Sequence, residues 1–172
     1  MNEPRANCYV GSPVERVEDP RFLRGRGCYI DDVTRPGMLH AVILRSTLAH
    51  GWIRRIDGSA ALARPGVRAV ITAADICANV PTIPMRQEQL AAFQPFEQPV
   101  IATGKVRYVG EPLAVVVAAS AALAEDAAEA VAVEIEPLAV VDRGSAEAGT
   151  LLFESTRSNV AGTLTAVKGD AE

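Results

Sequence analysis

Apolar positions along the chain follow distinct rhythms, and each rhythm predicts an element. MLHAVILRST (38–47), WIRRI (52–56) and VRAVIT (67–72) concentrate β-branched and aliphatic residues in runs of strand length. Between the last two, DGSAALARPG offers Asp57 or Ser59 as the cap of one or two helical turns, which Pro65-Gly66 stops. Strand, short helix and strand in that order predict a crossover unit. Residues 73–76 then read as one further helical turn.

The segment KVRYVGEPLAVVVAAS (105–120) holds two strand-like runs separated by Gly110-Glu111-Pro112. Pro112 removes a backbone donor and biases Glu111 to extended geometry, while Gly110 frees the backbone just before it. A bend or bulge between two strands is expected there. Residues 113–119 are apolar on both faces, the pattern of a central strand covered on each side. Ser120 caps a helix, AALAEDAAEAV, expected to turn Leu123, Ala127, Ala130 and Val131 inward and Glu125, Asp126 and Glu129 outward. VAVEIEPLAVV (131–141) alternates Val131, Val133 and Ile135 with Glu134 and Glu136, which predicts a half-exposed strand.

Three stretches lack such a rhythm. Residues 1–37 are rich in proline, glycine and charge and read as an extended arm. Residues 77–99 read as a long irregular loop of the kind that is often functional. Residues 143–172 read as a linker or tail, which leaves 38–142 as the folded domain.

Composition narrows the function classes. A chain of 172 residues with 49% apolar and 5% aromatic content can bury a core, but one packed from small side chains. The net charge of −4, with no basic cluster, argues against a nucleic-acid partner. No apolar run approaches the roughly 18 residues of a membrane span. A cytoplasmic protein is expected. Cys8, Cys28 and Cys77 lie too far apart for a zinc ribbon or an iron–sulfur set and are expected to be reduced thiols.

Little local chemistry is visible. The G-x-G of RFLRGRGCYIDD lacks a preceding strand and a following helix, and Asp31-Asp32 reads as a turn. His40 and His50 are spaced too widely for a local metal pair, and Ser46, four residues before His50, lacks a nucleophile-elbow motif. The pairs Glu125/Glu129 and Glu134/Glu136 have no apolar surroundings that would split their pKa values. From the residues alone this is an α+β domain without a legible active site.

Several long segments, in order, resemble one family. RVEDPRFLRGRGCYIDDVTRPGMLHAVILRSTLAH, IDGSAALARPGVRAVITAADI and the stretch from Lys105 to Val141 resemble the N-terminal α/β hammerhead domain of large subunits in the xanthine dehydrogenase and aldehyde oxidase family. The carbon monoxide dehydrogenase-like branch is the nearest resemblance, and it extends from about residue 11 onward. It implies an α+β hammerhead with a mixed sheet, strand-helix-strand units and an extended N-terminal arm. It also implies a molybdenum hydroxylase whose molybdopterin cytosine dinucleotide, iron–sulfur clusters and FAD sit in partner subunits, and whose catalytic glutamate belongs to the portion after the hammerhead.

On that basis no catalytic, cofactor-binding or metal-binding residue is expected in this chain. The expected role is a hammerhead subunit or fragment that docks on the molybdopterin-binding large subunit and helps to wall the substrate channel; a free-standing module of the same fold is the alternative. Arg45, Ser46, His50, Arg107, Tyr108, Gly110, Glu111 and Pro112 are the candidate contact residues. Thr47 replaces the proline of the family's more usual R-S-P-x-A-H.

Overall fold

A computed structural model describes residues 10–11, 13–76, 79–84, 91–147, 149–163 and 165–169. The chain divides after Met38 into two compact units. In the first, the expected extended arm carries a one-turn helix α1 (Asp19–Leu23), with Pro20 in its first turn where a missing N–H costs nothing. Phe22 stacks on Tyr29 with ring centroids 5.7 Å apart. Asp31-Asp32 forms the expected turn, a 3₁₀ turn over Ile30–Asp32 in which the Asp32 carboxylate accepts from the Tyr29 N–H.

The second unit runs β1 (His40–Arg45), β2 (Gly51–Asp57), α2 (Ser59–Leu62), β3 (Val67–Ile71), α3 (Ala73–Ile76), β4 (Thr82–Ile83), β5 (Gln98–Pro99), β6 (Lys105–Val106), β7 (Pro112–Ala118), α4 (Ala121–Glu129) and β8 (Ala132–Pro137). One sheet has the order β1-β7-β3, a second β6-β2-β8, and β4 pairs with β5. Each pairing is antiparallel. The α+β hammerhead class stands as expected, with wholly antiparallel sheets in place of the expected mixed sheet.

One local expectation changes. β2, α2 and β3 do not make a crossover within a single sheet, because β2 lies in one sheet and β3 in the other. Only residues 58–66 connect them, short of the dozen or so residues a parallel crossover needs. The link through α4 likewise leaves one sheet and enters the other, since both edges of β7 are already taken by β1 and β3. Residues 77–99 are also more regular than expected, holding β4, β5 and a 3₁₀ segment over Ala91–Phe96. Cys77 and residues 85–90 of that stretch, and Cys8, fall outside the described residues.

The core sits where the two sheets and the helices meet. Ala61, Val116, Ala127, Ala128 and Val131 are buried together, with Val42, Leu44, Ile56, Val67 and Val70 packed around them. A second cluster of Ala102, Val106 and Leu113 shares Ile56 and Val133 with the first. Ala-for-Leu economy on α4 lets its backbone lie close to α2. The Ser120 hydroxyl caps α4 by accepting from the Leu123 N–H, as expected, but the buried face is Ala124, Ala127 and Ala128. Leu123 itself is 38% exposed, against the expectation that it faces inward.

A β-bulge at the start of β7 decides where Leu113 points. Leu44 pairs with Ala114 and the next residue, Arg45, with Pro112, so Leu113 is the extra residue. Two successive side chains at such a bulge can share a face. Leu113 is thereby buried in the second cluster, and the alternation then resumes along β7.

Candidate functional site

The turn between β6 and β7 gathers most of the candidate contact residues. Gly110 takes φ +89°, a left-handed conformation open to glycine at no steric cost, and so reverses the chain. Its N–H donates to the Ser46 carbonyl (2.8 Å), and the Ser46 N–H donates to the Glu111 carbonyl (2.9 Å). The Arg45 guanidinium donates to the Gly110 carbonyl (2.9 Å). The end of β1 and the Gly-Glu-Pro turn are therefore joined by three bonds.

Glu111 is fully buried. Its Oε2 accepts from the Arg107 backbone N–H (2.5 Å) and its Oε1 from the Arg107 guanidinium (3.2 Å). Hydrogen bonds of this charge-assisted kind are among the stronger ones in proteins. With both oxygens engaged by one residue, Glu111 holds the turn shut. Tyr108 and Val109 at the tip are exposed, and the Tyr108 phenol is pushed up by partial burial and by the nearby Glu111 charge.

Two cations of the same segment hold a distant stretch of chain. Arg107 Nε donates to the Leu152 carbonyl (3.1 Å), and its guanidinium lies 4.8 Å from the Phe153 ring centroid. Lys105 is 2% exposed; its Nζ donates to the Leu151 carbonyl (2.7 Å), pairs with the Glu154 carboxylate and lies over the Trp52 ring. Asn159 completes the loop, accepting from the Leu152 N–H and donating to the Thr150 carbonyl. Residues 150–159, expected as part of a linker, are thus tied to β6 and its turn. Burial alone would raise the Glu154 carboxyl, but the Lys105 hydrogen bond and charge bring it net below its ordinary value.

Beside this cluster a pocket of about 360 Å³ is lined by Ile83, Phe96, Gln98, Arg107, Tyr108 and Phe153. Phe96 and Phe153 meet edge to face, 6.0 Å between centroids. The lining mixes aromatic and aliphatic side chains with the polar groups of Glu97, Gln98 and Arg107. Such a surface accommodates a side chain or an apolar small molecule.

Of the eight candidate residues, Arg45, Ser46, Arg107, Gly110 and Glu111 are hydrogen-bonded to one another, with Tyr108 and Pro112 in the same turn. His50 stands apart from this set. Its Nδ1 lies 2.7 Å from the Ala139 carbonyl, which can only accept, so a neutral ring carries its proton on Nδ1. Its buried Nε2 meets no partner among the described residues. The Ser46 hydroxyl donates to the Leu48 carbonyl and accepts from the Leu48 N–H, a local turn bond with no role for His50 as base. Lys105, Trp52 and residues 151–154 escape sequence reasoning, because nothing in a single Lys beside Val106 announces that it is buried 46 residues from its partner.

The fold is shared with known proteins. Residues 24–139 match the family model for the a/b hammerhead domain of aldehyde oxidase and xanthine dehydrogenase. The nicotine 6-hydroxylase large subunit of Paenarthrobacter nicotinovorans is 45% identical over 77% of this chain and 16% of its own length. The 6-hydroxypseudooxynicotine dehydrogenase complex subunit gamma of the same organism is 36% identical over 99% of this chain and 22% of its own. The crystal structure of the Cu,Mo carbon monoxide dehydrogenase in its carbon monoxide-reduced state superposes with a TM-score of 0.71 at 40% identity, covering 92% of this chain and 20% of that one. The chain therefore spans about a fifth of the length of the relatives it matches. With two thirds of its residues inside that family match and a superposing fold, the chain belongs to the aldehyde oxidase and xanthine dehydrogenase a/b hammerhead family.

Proposed function

We propose that the chain is a non-catalytic hammerhead subunit, or part of one, in a molybdenum-containing hydroxylase, docking on the molybdopterin-binding subunit and helping to wall its substrate channel. Arg45, Ser46, His50, Arg107, Tyr108, Gly110, Glu111 and Pro112 shape the contact. The observation that carries this reading is the closed Glu111–Arg107 ring, which uses the one fully buried carboxylate among the described residues for holding a turn. What the turn offers outward is Arg45, Tyr108 and Val109, a small mixed surface on a backbone that is already fixed. The similarity over 99% of this chain to a protein named as a complex subunit supports the same reading.

Among the described residues no group of three or more His, Cys, Asp or Glu side chains converges to hold a metal ion, and Cys28 is an exposed free thiol. In this reading molybdopterin cytosine dinucleotide, iron–sulfur clusters and FAD belong to partner subunits. The contribution of this chain is shape and surface.

The test is purification of the tagged chain from its native host at endogenous level, with mass spectrometry of what accompanies it and metal analysis of the eluate. Recovery of a larger molybdopterin-binding chain with molybdenum, and with iron where the electron-transfer subunits remain attached, is expected. Recovery of this chain alone and free of metal would overturn the reading in favour of a free-standing module.

A further inference from the structure

The two sheets treat their outer faces in opposite ways. On the β6-β2-β8 sheet the outward positions include Arg54, Glu134 and Glu136, with Arg54 and Glu136 paired across strands. That is the polar face of a sheet meeting water.

On the β1-β7-β3 sheet the outward positions between Arg45, at the end of β1, and Arg68, the exposed extra residue of a bulge at the start of β3, are aliphatic. The register sets Ala41 opposite Val117 and Val117 opposite Ala69, and Ile43 opposite Val115 and Val115 opposite Ile71. Residues directly opposite one another share a face. The other face of the same strands, with Val42, Leu44, Val67, Val70 and Val116, is the core. The six outward residues form two rows across three strands without a charge or hydroxyl among them. Ala41 is exposed, Ile43 is 45% exposed, and the remaining four are half-buried.

We infer that this six-residue aliphatic face is covered by the molybdopterin-binding portion of the enzyme, making it the apolar centre of the docking surface. The inference rests on the subunit reading above and assigns it a place on the molecule. Three observations support that occupant. The relatives this chain matches carry roughly four-fifths of their length outside the match, a body large enough to cover a sheet face. The face is continuous with the turn already assigned to the contact, because Arg45 follows Ala41 and Ile43 in the outward alternation of β1 and bonds Gly110. An apolar centre bordered by a polar, arginine- and tyrosine-bearing rim is the usual anatomy of a stable interface.

Cysteine footprinting tests it. The full chain, with Cys8, Cys28 and Cys77 replaced by serine, carries either Ile43→Cys or Ala69→Cys on the aliphatic face, or Glu134→Cys on the polar face as control. Maleimide labelling is compared between the purified chain and the complex recovered from the native host. Labelling at Ile43→Cys and Ala69→Cys is expected to slow by about tenfold or more in the complex, since packed interface centres exclude water. Glu134→Cys should label equally in both. Equal labelling of the aliphatic face in a complex that does contain the molybdopterin-binding chain would overturn this inference and leave the subunit reading standing. Protection already present in the purified chain would also overturn it. If independent of concentration it would assign the face to the chain's own N-terminal unit, and if concentration-dependent, to a second copy. Failure to recover any molybdopterin-binding chain would overturn the subunit reading and this inference with it.

Discussion

Glu111 and Arg107 close a ring in which one carboxylate accepts both the backbone N–H and the guanidinium of a residue four positions earlier, at a site with no solvent exposure for the acid. The ring turns a Gly-Glu-Pro sequence into a fixed shape. Because Arg107 also holds the Leu152 carbonyl, the same pair couples the turn to a segment 45 residues away.

Removing the acid should therefore be costly. Glu111→Ala leaves a largely buried guanidinium without its counter-charge, and breaking one side of a buried pair costs about 3 kcal/mol or more. Glu111→Gln keeps an acceptor for the Arg107 N–H and should lose clearly less. Urea unfolding of the three proteins measures both; a loss below about 1 kcal/mol for Glu111→Ala would contradict a structural role for the ring.

Lys105→Met should loosen residues 150–159 selectively. Methionine can keep the apolar stem against Trp52 but cannot donate to the Leu151 carbonyl or pair with Glu154. Hydrogen exchange at residues 151–154 should accelerate, while protection along β7 stays near the wild-type level. Unchanged exchange at 151–154 would mean that Arg107 and Asn159 alone hold the segment.

Acid should act on the same contact. Glu154 has its carboxyl lowered from an ordinary value of 4.5 in the folded chain, so its contribution is present above 4.5 and is lost as pH falls through the lower folded value. The side chain is 57% exposed, which keeps the effect small. Thermal melts between neutral pH and pH 3 should show a slightly steeper acid loss for wild type than for Glu154→Gln. Parallel curves would remove Glu154 from the account.

Gly51→Ala should destabilise the β6-β2-β8 sheet. A Cβ built at Gly51 would lie 2.7 Å from the Glu136 backbone oxygen and meet the Ile135 side chain as well. Backbone cannot withdraw as a flexible side-chain tip can, so the cost should be about 1–3 kcal/mol. A calorimetric melt indistinguishable from wild type would show that β8 shifts freely.

Much of the fold was legible because its signals are local. The apolar run after Pro112 marked β7 as the central strand, Ser120 marked the start of α4, and the Val/Glu alternation marked β8. Of the candidate contact residues, chosen for their place in short motifs, Arg45, Ser46, Arg107, Gly110 and Glu111 are hydrogen-bonded to one another, Tyr108 and Pro112 lie in the same turn, and His50 stands apart. What misled was also local in origin. Strand, helix and strand looked like a crossover because sequence order carries no information on which sheet a strand joins.

By itself, then, the sequence determined β1, β2, β3, β7, β8 and the helical turns α2, α3 and α4, the Gly110 turn, the family and the shortage of local catalytic motifs, since each depends on residues near one another or on segments in a fixed order. Tertiary structure alone decided that β2 and β3 part company, that Lys105 is buried beneath residues 151–154, and that Ala41, Ile43, Ala69, Ile71, Val115 and Val117 converge on one open face. Those outcomes depend on which strand edges remain free to pair and on contacts between residues tens of positions apart. Neither leaves a mark in any short window of the chain.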